Sequence, residues 1–169
     1  MAESSLRAAR PERKGGLANA IFLVAAAEQL PSDLGGVADE VQVLFPWGSL
    51  LRAALALPNA SLASAGLAGL VRPGGLARIL LSVDPRDSLP LEPLTGADGR
   101  PIAARWAVHG LDLLAFRQAT TDEIAASGSS WARRLGADRD REVWRLDLAR
   151  PVVATQVPTP ASRPLASRR

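Results

Sequence analysis

The residue types that enzymes most often use for nucleophilic, acid–base or metal chemistry are scarce in this chain. Its 169 residues include no cysteine, and His109 is the single histidine. Cysteine nucleophiles, cysteine-ligated zinc, disulfides, histidine-rich metal sites and a conventional Ser-His-Asp triad are therefore excluded. Chemistry must come from carboxylates, backbone groups, arginines, tryptophan faces or a bound cofactor, and His109 is expected to be structural.

One candidate site is a tryptophan within an arginine cluster. The chain has four Trp, three Phe and no Tyr. Trp131 follows two serines and precedes the four arginines of the cluster, which are Arg133, Arg134, Arg139 and Arg141. An indole can stack a base while guanidinium groups hold phosphates, a combination typical of nucleic-acid binding. A helix end with a buried Trp and solvated Arg is the commoner origin of such a pattern.

A second candidate site lies where two predicted strands end, in residues 25–28 (AAAE) and 44–49 (LFPWGS). Ligands of doubly wound sheets bind at the carboxyl ends of the strands, and we expect these two segments to lie side by side. Glu28 could accept hydrogen bonds from an amine or a sugar hydroxyl, Trp47 could face an aromatic base, and the Pro46 carbonyl could accept another hydrogen bond. A solvated Glu28 and a Trp47 that plugs the core are the alternatives.

The elements that must position these residues alternate along the chain. Apolar runs or alternating patterns predict strands at 20–26, 38–45, 76–83, 111–117 and 142–148. Helices are predicted at 2–10, at 49–57 with Ser49 as N-cap, at 60–71, at 102–109 and, in two parts, at 121–135. Segment 72–75 (RPGG) is interpreted as a helix stop without a site role, and 84–101 as a loop. This order predicts an α/β doubly wound sheet whose last strands are antiparallel, with Trp106 and Trp144 in its core.

Charge and hydropathy restrict the partners and the location. The net charge is +3 and the pI about 10.8, because nearly all the basic residues are arginines. A modest basic excess favours an anionic partner. No apolar run reaches the length of a membrane span, and the polar N-terminus does not resemble a signal peptide, so the cytoplasm is the expected location. Residues 150–169, with four Pro, four Arg and no acid, predict a disordered basic tail after a domain at 1–149.

A family resemblance joins the two candidate sites. The segments that carry it are 14–17 (KGGL), 25–28 (AAAE), 38–39 (AD), 44–51 (LFPWGSLL) and 130–135 (SWARRL). Together they resemble the aminoglycoside-resistance 16S rRNA (adenine(1408)-N1)-methyltransferases. The resemblance is dense from about residue 10 to 51 and returns from 129 to about 145. It implies a class I, Rossmann-like methyltransferase fold, S-adenosyl-L-methionine as cofactor, and 16S rRNA in the 30S subunit as partner.

The resemblance also implies roles for single residues. Trp47 and Trp131 would sandwich the flipped target adenine, and the Pro46 carbonyl would help to hold its amino group. The implied cofactor-binding residues are Ala27, Glu28, Leu44, Phe45, Pro46, Trp47, Gly48, Ser49, Ser129, Ser130 and Trp131. The implied RNA-binding residues are Arg10, Lys14, Arg134, Arg139 and Arg141. Methyl transfer from a sulfonium needs mainly alignment of the reactants, so no metal, cysteine or histidine is required.

The chain departs from the family at its N-terminus. The family begins with a strand, a glycine-rich turn and a second strand ending in Asp, which bind the methionine and ribose of the cofactor. These parts are absent, so we expect an N-terminal truncation on the order of 60 residues, at roughly 30 residues per βαβ unit, with Met1 an internal methionine. A degenerate remnant gene is the alternative.

Two other functions stay open. A non-catalytic RNA-binding remnant would need only the arginine cluster and the basic tail, and its binding would depend steeply on salt. A methyltransferase acting on a small molecule is the other, and the arginine-rich segment around Trp131 argues against it. We expect the protein to be a monomer.

Overall fold

The computed structural model of the chain describes residues 6, 8–17, 19–87, 90–137 and 141–152. The strands in these residues are β1 (Ala38–Leu44), β2 (Val71–Leu81), β3 (Asp112–Gln118) and β4 (Trp144–Ala149). The α-helices are α1 (Ser49–Ala54), α2 (Ser61–Leu70), α3 (Gly99–Val108), α4 (Thr121–Ala126) and α5 (Ser130–Leu135). Single 3₁₀ turns span Glu12–Lys14, Ser32–Leu34, Pro58–Ala60, Pro85–Asp87 and Gly96–Asp98. The helices predicted from residue 49 onwards are confirmed, whereas most of 2–10 and of the tail at 150–169 lies outside the described residues.

The four strands form one mixed sheet in the order β1-β2-β4-β3. β1 and β2 are parallel, with α1 and α2 in the crossover between them, while β4 is antiparallel to both β2 and β3. The register aligns Val43 with Ile79, Ile79 with Leu146, and Leu146 with Phe116. The predicted α/β class and its antiparallel C-terminal strands are thereby confirmed.

The main core lies between one face of the sheet and helices α1, α2 and α3. Ile79 and Leu146 of the sheet, Leu51 of α1 and Trp106 of α3 are almost completely buried in it. The Trp106 indole N–H donates to the Ala54 carbonyl at 3.2 Å, so the polar atom of this side chain is satisfied inside the core. Burial of these four large side chains removes apolar surface from water, so this core is the main source of stability.

The two tryptophans predicted to be structural are both in this core. Trp144 stacks on Phe116 with 4.6 Å between the ring centroids, and the rings of Trp106 and His109 meet edge to face at 6.0 Å. His109 lies at the end of α3, half-buried. Its contact with Trp106 agrees with the predicted structural role.

The opposite face of the sheet carries a row of alternating charges, here called the charge ladder. Its members, in order across the strands, are Glu40, Arg78, Asp147, Arg145, Glu123 and Arg117. Arg78 links β1 to β4, because it bonds Glu40 at 2.8 Å and Asp147 at 3.1 Å. Arg145 bonds both Asp147, at 2.8 Å, and Glu123 of α4. The ladder therefore ties α4 to the sheet.

The prediction of a strand at 20–26 is wrong. This segment has no regular structure, and residues 21–26 are exposed, with 86% of Ile21 and 79% of Val24 accessible. A parallel strand next to β1 needs a crossover of about a dozen residues or more, usually a helix. Residues 27–37 hold only the 3₁₀ turn Ser32–Leu34, and the Gly36 N–H is bonded to the Gly69 carbonyl of α2. An apolar run predicts burial but not a pairing partner.

Two boundary predictions are also corrected. Segment 72–75 is not a helix stop, because it lies inside β2, where the register with β1 shifts between Ala38 and Glu40. Pro73 is tolerated there because such irregularities leave backbone groups outside the ladder. Gly48, and not Ser49, is the N-cap of α1, and the helix ends at Ala54. Within the described ranges, no helix is long and apolar enough to cross a membrane.

Candidate functional site

The carboxyl end of β1 turns sharply and presents Trp47 at the surface. Phe45 has a φ of 50°, which is uncommon for a bulky residue and marks a constrained turn. Its N–H continues the ladder to β2 by donating to the Leu80 carbonyl at 2.7 Å, and its ring is buried. Pro46 is buried too, whereas 65% of Trp47 is accessible. The next residue, Gly48, is the N-cap of α1. The turn is therefore anchored at its start by the Phe45 hydrogen bond and by the buried Phe45 ring.

The second tryptophan is presented by α5, the helix before β4. Ser129 begins α5 as an N-cap whose hydroxyl accepts the Ala132 N–H at 3.4 Å. Ala132 and Leu135 pack into the small core that contains Phe45, which fixes α5 against the end of β1. Trp131, in the same helix, is 55% accessible. The Arg134 guanidinium lies 5.6 Å from the centroid of the Trp131 ring, within the range of a cation–π contact.

The two indoles line one cavity of about 270 Å³ at the carboxyl ends of β1 and β2. The lining residues are Phe45, Pro46, Trp47, Ser82, Trp131, Leu135 and Arg141. Trp106 and Trp144 are buried in the core, so the two accessible tryptophans are the two at the cavity. Apolar walls with two accessible indoles suit a flat aromatic ring, which can stack on them.

Ser82 is a cavity residue that the sequence analysis did not single out. It follows directly after β2, whose Leu81 pairs with Trp144 of β4. The signal that could have identified it is its position at the carboxyl end of a strand parallel to β1. Within the pattern LLSVD, however, a serine looks like any polar residue at the end of a strand.

Two carboxylates of the described residues, Asp84 and Glu123, have lowered pKa values and are ionised at neutral pH. Hydrogen bonds from the Arg86 side chain and backbone hold the pKa of Asp84 well below its ordinary value, and the charge of Arg141 acts in the same direction. The pKa of Glu123 is lowered to about 2, chiefly by the Arg117 hydrogen bond. Neither carboxylate lines the cavity. Both therefore act as fixed negative charges outside the cavity wall.

Ala27 and Glu28, expected beside Trp47, do not line the cavity. They lie in a turn packed on α2, where a Cβ added to Gly66 would come 1.8 Å from the Ala27 carbonyl oxygen. Glu28 is exposed. The expected side-by-side arrangement depended on a strand at 20–26, which the structure does not contain.

The other predicted cofactor-binding residues lie at the two turns that carry the tryptophans. Leu44 ends β1, Gly48 and Ser49 begin α1, and Ser129 and Ser130 begin α5. Ser129 also lines a neighbouring open pocket along α4 and α5. Two distant parts of the sequence therefore meet around one cavity.

The predicted RNA-binding residues fall into two groups. Arg134 is exposed beside Trp131, and Arg141 lines the cavity. Arg10 and Lys14 are exposed near the N-terminus, around the turn Glu12–Lys14, and do not belong to the cavity. Arg139 lies outside the described residues. No group of three His, Cys, Asp or Glu within the described ranges could hold a metal ion.

Comparison with known families gives a match over most of the chain. The sequence model of the family NpmA, described as 16S rRNA (adenine(1408)-N(1))-methyltransferase, matches residues 1–149. A protein of that name from Streptoalloteichus hindustanus is 40% identical over 149 residues, which cover 83% of this chain and 66% of the relative. One from Escherichia coli is 28% identical over 141 residues, covering 79% of this chain and 64% of the relative. The chain thus spans just under two thirds of the length of these relatives.

Solved structures give a similar result. The structure of the 16S rRNA methyltransferase KamB superposes with a TM-score of 0.75 at 37% identity, covering 89% of this chain and 72% of KamB. A mutant 16S rRNA (adenine(1408)-N(1))-methyltransferase from Catenulisporales acidiphilia, solved with its cosubstrate SAM, gives a TM-score of 0.75 at 30% identity. That match covers 93% of this chain and 73% of the other.

Proposed function

Because the chain belongs to the family of 16S rRNA (adenine(1408)-N(1))-methyltransferases, we propose that it methylates N1 of adenine 1408 in 16S rRNA of the 30S subunit, which gives resistance to aminoglycosides. The observation that carries the proposal is the cavity that Trp47 and Trp131 both line. The class I fold expected from the sequence is confirmed by its structural neighbours. Residues 1–149 are proposed as the methyltransferase domain.

The two indoles would hold the target base. An adenine inside folded RNA must leave its stack before an enzyme can reach N1, and stacking on aromatic side chains compensates for part of that cost. Trp47 and Trp131 are both accessible and line the same apolar cavity. Pro46 lines the same cavity, and its carbonyl would accept a hydrogen bond from the exocyclic amine and so fix the direction in which N1 points.

The turns around the cavity fit S-adenosyl-L-methionine. The residues proposed to hold it at these turns are Leu44, Phe45, Pro46, Trp47, Gly48, Ser49, Ser129, Ser130 and Trp131. Ala27 and Glu28, in the turn packed on α2, are proposed to contribute as well. The turn after β1 lies where doubly wound sheets bind their cofactors, and the exposed Glu28 carboxylate can accept hydrogen bonds from hydroxyl or amine groups. The cofactor supplies an activated methyl group on a sulfonium. The protein supplies alignment of the base and exclusion of water.

Basic side chains would grip the RNA around the flipped base. Arg141 lines the cavity, Arg134 lies beside Trp131, and Arg10 and Lys14 are exposed elsewhere. Guanidinium groups make forked contacts with phosphate, so these contacts would orient the rRNA without reading its sequence. We also propose that Arg139 joins them, that the protein acts as a monomer, and that it works in the cytoplasm.

Substitution of the two tryptophans tests the proposal. Methyl transfer from labelled S-adenosyl-L-methionine to 30S subunits would be measured for Trp47→Ala and Trp131→Ala. Loss of one stacking face costs about 1–3 kcal/mol, so kcat/KM should fall by about 5- to 150-fold in each variant. Leu114→Ala, an equally exposed apolar side chain on β3, is the control.

Two outcomes would contradict the proposal. Full activity in both tryptophan variants would show that the indoles do not hold the base. Salt-dependent RNA binding without methyl transfer by the unaltered chain would favour the non-catalytic RNA-binding function instead.

A further inference from the structure

Ser82 has a hydroxyl group that the described structure does not satisfy. Only 7% of the residue is accessible, and its Oγ has no hydrogen-bond partner among the described residues. The other buried serine of the described chain, Ser64, behaves differently, because its hydroxyl donates to the Ala53 carbonyl at 2.9 Å. A buried polar atom without a partner is unfavourable, and native proteins retain few of them.

The position of Ser82 connects this hydroxyl to the cavity. The residue follows the last residue of β2, between the end of β1 and the beginning of β4, and it forms part of the cavity wall. A serine hydroxyl has three staggered positions about χ1 and can change between them without moving the backbone. A ligand in the cavity could therefore provide the partner that the free protein lacks.

The chemistry of the wall makes this hydroxyl distinctive. The other lining side chains are apolar or aromatic, except for the Arg141 guanidinium, which can only donate. Ser82 is the one described lining side chain that can both donate and accept. An adenine presents both kinds of group at its edge, acceptor ring nitrogens and a donor amine. Stacking alone is tolerant of sequence and does not fix the rotation of a base in its plane.

We propose that the Ser82 hydroxyl hydrogen-bonds the polar edge of the base held between Trp47 and Trp131 and fixes its in-plane rotation. The inference rests on the proposed function, since it needs an adenine in this cavity. The tryptophans would hold the two faces of the ring, and Ser82 would contact its edge. Removing the hydroxyl should therefore lower the efficiency of methyl transfer without weakening the fold.

A matched pair of variants isolates the hydroxyl. The side chains introduced by Ser82→Thr and Ser82→Val have nearly the same shape. The first keeps the hydroxyl group, and the second replaces it by a methyl group. A neutral hydrogen bond corresponds to about a 3- to 10-fold effect, so kcat/KM for methyl transfer to 30S subunits should be about 3- to 10-fold higher for the Thr variant. Without RNA or cofactor, Ser82→Thr should melt at the same temperature as Ser82→Val or at a lower one. The hydroxyl has no partner in the free protein, so a methyl group is at least as favourable there.

A second readout does not depend on methyl transfer. Adenosine would be titrated into each variant while tryptophan fluorescence is followed, since Trp47 and Trp131 line the cavity. We expect adenosine to bind about 3- to 10-fold more tightly to Ser82→Thr than to Ser82→Val. Equal kcat/KM and equal affinity in the pair would overturn the inference, and so would a higher melting temperature for the Thr variant. Absence of both methyl transfer and quenching in the unaltered protein would instead refute the proposed function.

Discussion

Replacing Glu123 by glutamine should loosen α4, the helix that precedes the Trp131 segment. Glu123 accepts hydrogen bonds from Arg117, at 2.6 and 2.9 Å, and from Arg145, and its Oε2 also accepts the Thr120 N–H at 2.9 Å. The last bond belongs to a capping box, which glutamine can also form. Glu123→Gln therefore removes the charge and preserves the cap.

The expected loss of stability follows from the burial of the partners. A hydrogen bond to a charged group contributes about 1.5–3 kcal/mol, against about 0.5–1.5 kcal/mol for a neutral one. The pair with Arg145 is mostly shielded from solvent, with 17% and 22% of the two side chains accessible, whereas Arg117 is more exposed and adds less. Glu123→Gln should lower the free energy of unfolding by about 1–2 kcal/mol, a shift of the urea midpoint of about 0.5–1 M.

The pH dependence provides an internal check. The pKa of Glu123 falls from an ordinary value of 4.5 to about 2 in the folded chain, mainly because of Arg117. A lowered pKa contributes stability above the unfolded value, and this contribution is lost as the pH falls toward the folded value. The difference between the unaltered protein and Glu123→Gln should thus be constant near pH 7 and shrink between about pH 5 and 2.

Urea unfolding at pH 7 and pH 3 measures both effects. Glu142→Gln is the control, because Glu142 is an exposed carboxylate just before β4 and has no ion pair in the described structure. Equal midpoints for Glu123→Gln and the unaltered protein at pH 7 would refute the role of the charge ladder. A difference that stays the same at pH 3 would show that the lost charge is not its cause.

Three further substitutions test the core, the RNA contact and the packing of the Ala27 segment. Leu146→Ala, in the fully buried centre of the sheet, should cost about 2–5 kcal/mol in urea unfolding, whereas the exposed Leu114→Ala should change stability by about 0.5 kcal/mol or less. Arg134→Ala should weaken RNA binding, and the slope of log affinity against log salt concentration should become shallower by the amount that one phosphate contact contributes. An unchanged slope would show that Arg134 does not contact a phosphate. Gly66→Ala should lower the melting temperature and the affinity for S-adenosyl-L-methionine in calorimetry, because its Cβ would clash with the Ala27 carbonyl, whereas Gly69→Ala in the same helix meets no atom within 4 Å and should do neither.

Much of the fold could be predicted because the relevant information is local. Alternating patterns gave β1 and β4 to within two residues, and the glycine and serines at 128–130 divided α4 from α5 as expected. The failures needed information about pairing. The run at 20–26 is apolar enough for a buried strand, yet no strand of the described sheet pairs with it. Residues 72–75 have the composition of a turn, but the ladder accommodates them as an irregularity.

The candidate site also combines features that the sequence could predict with features that depend on long-range contacts. Trp47 and Trp131 are far apart in the sequence, and it was the family resemblance, not local pattern, that paired them. Their position at one cavity depends on packing of α5 against Phe45, a long-range contact. The position of Ser82 at a strand end was visible in the sequence, but its unpartnered hydroxyl was not, because that is a property of its three-dimensional surroundings.

Reverse transcription through the decoding region of 16S rRNA tests the central claim most directly. 30S subunits would be incubated with the purified protein and S-adenosyl-L-methionine, and primer extension would then be compared with a reaction lacking the cofactor. A methyl group on N1 blocks Watson–Crick pairing, so the account predicts a new cofactor-dependent stop at adenine 1408. A cofactor-dependent stop at another nucleotide, or no cofactor-dependent stop after treatment with the protein, would contradict the proposed methylation of adenine 1408.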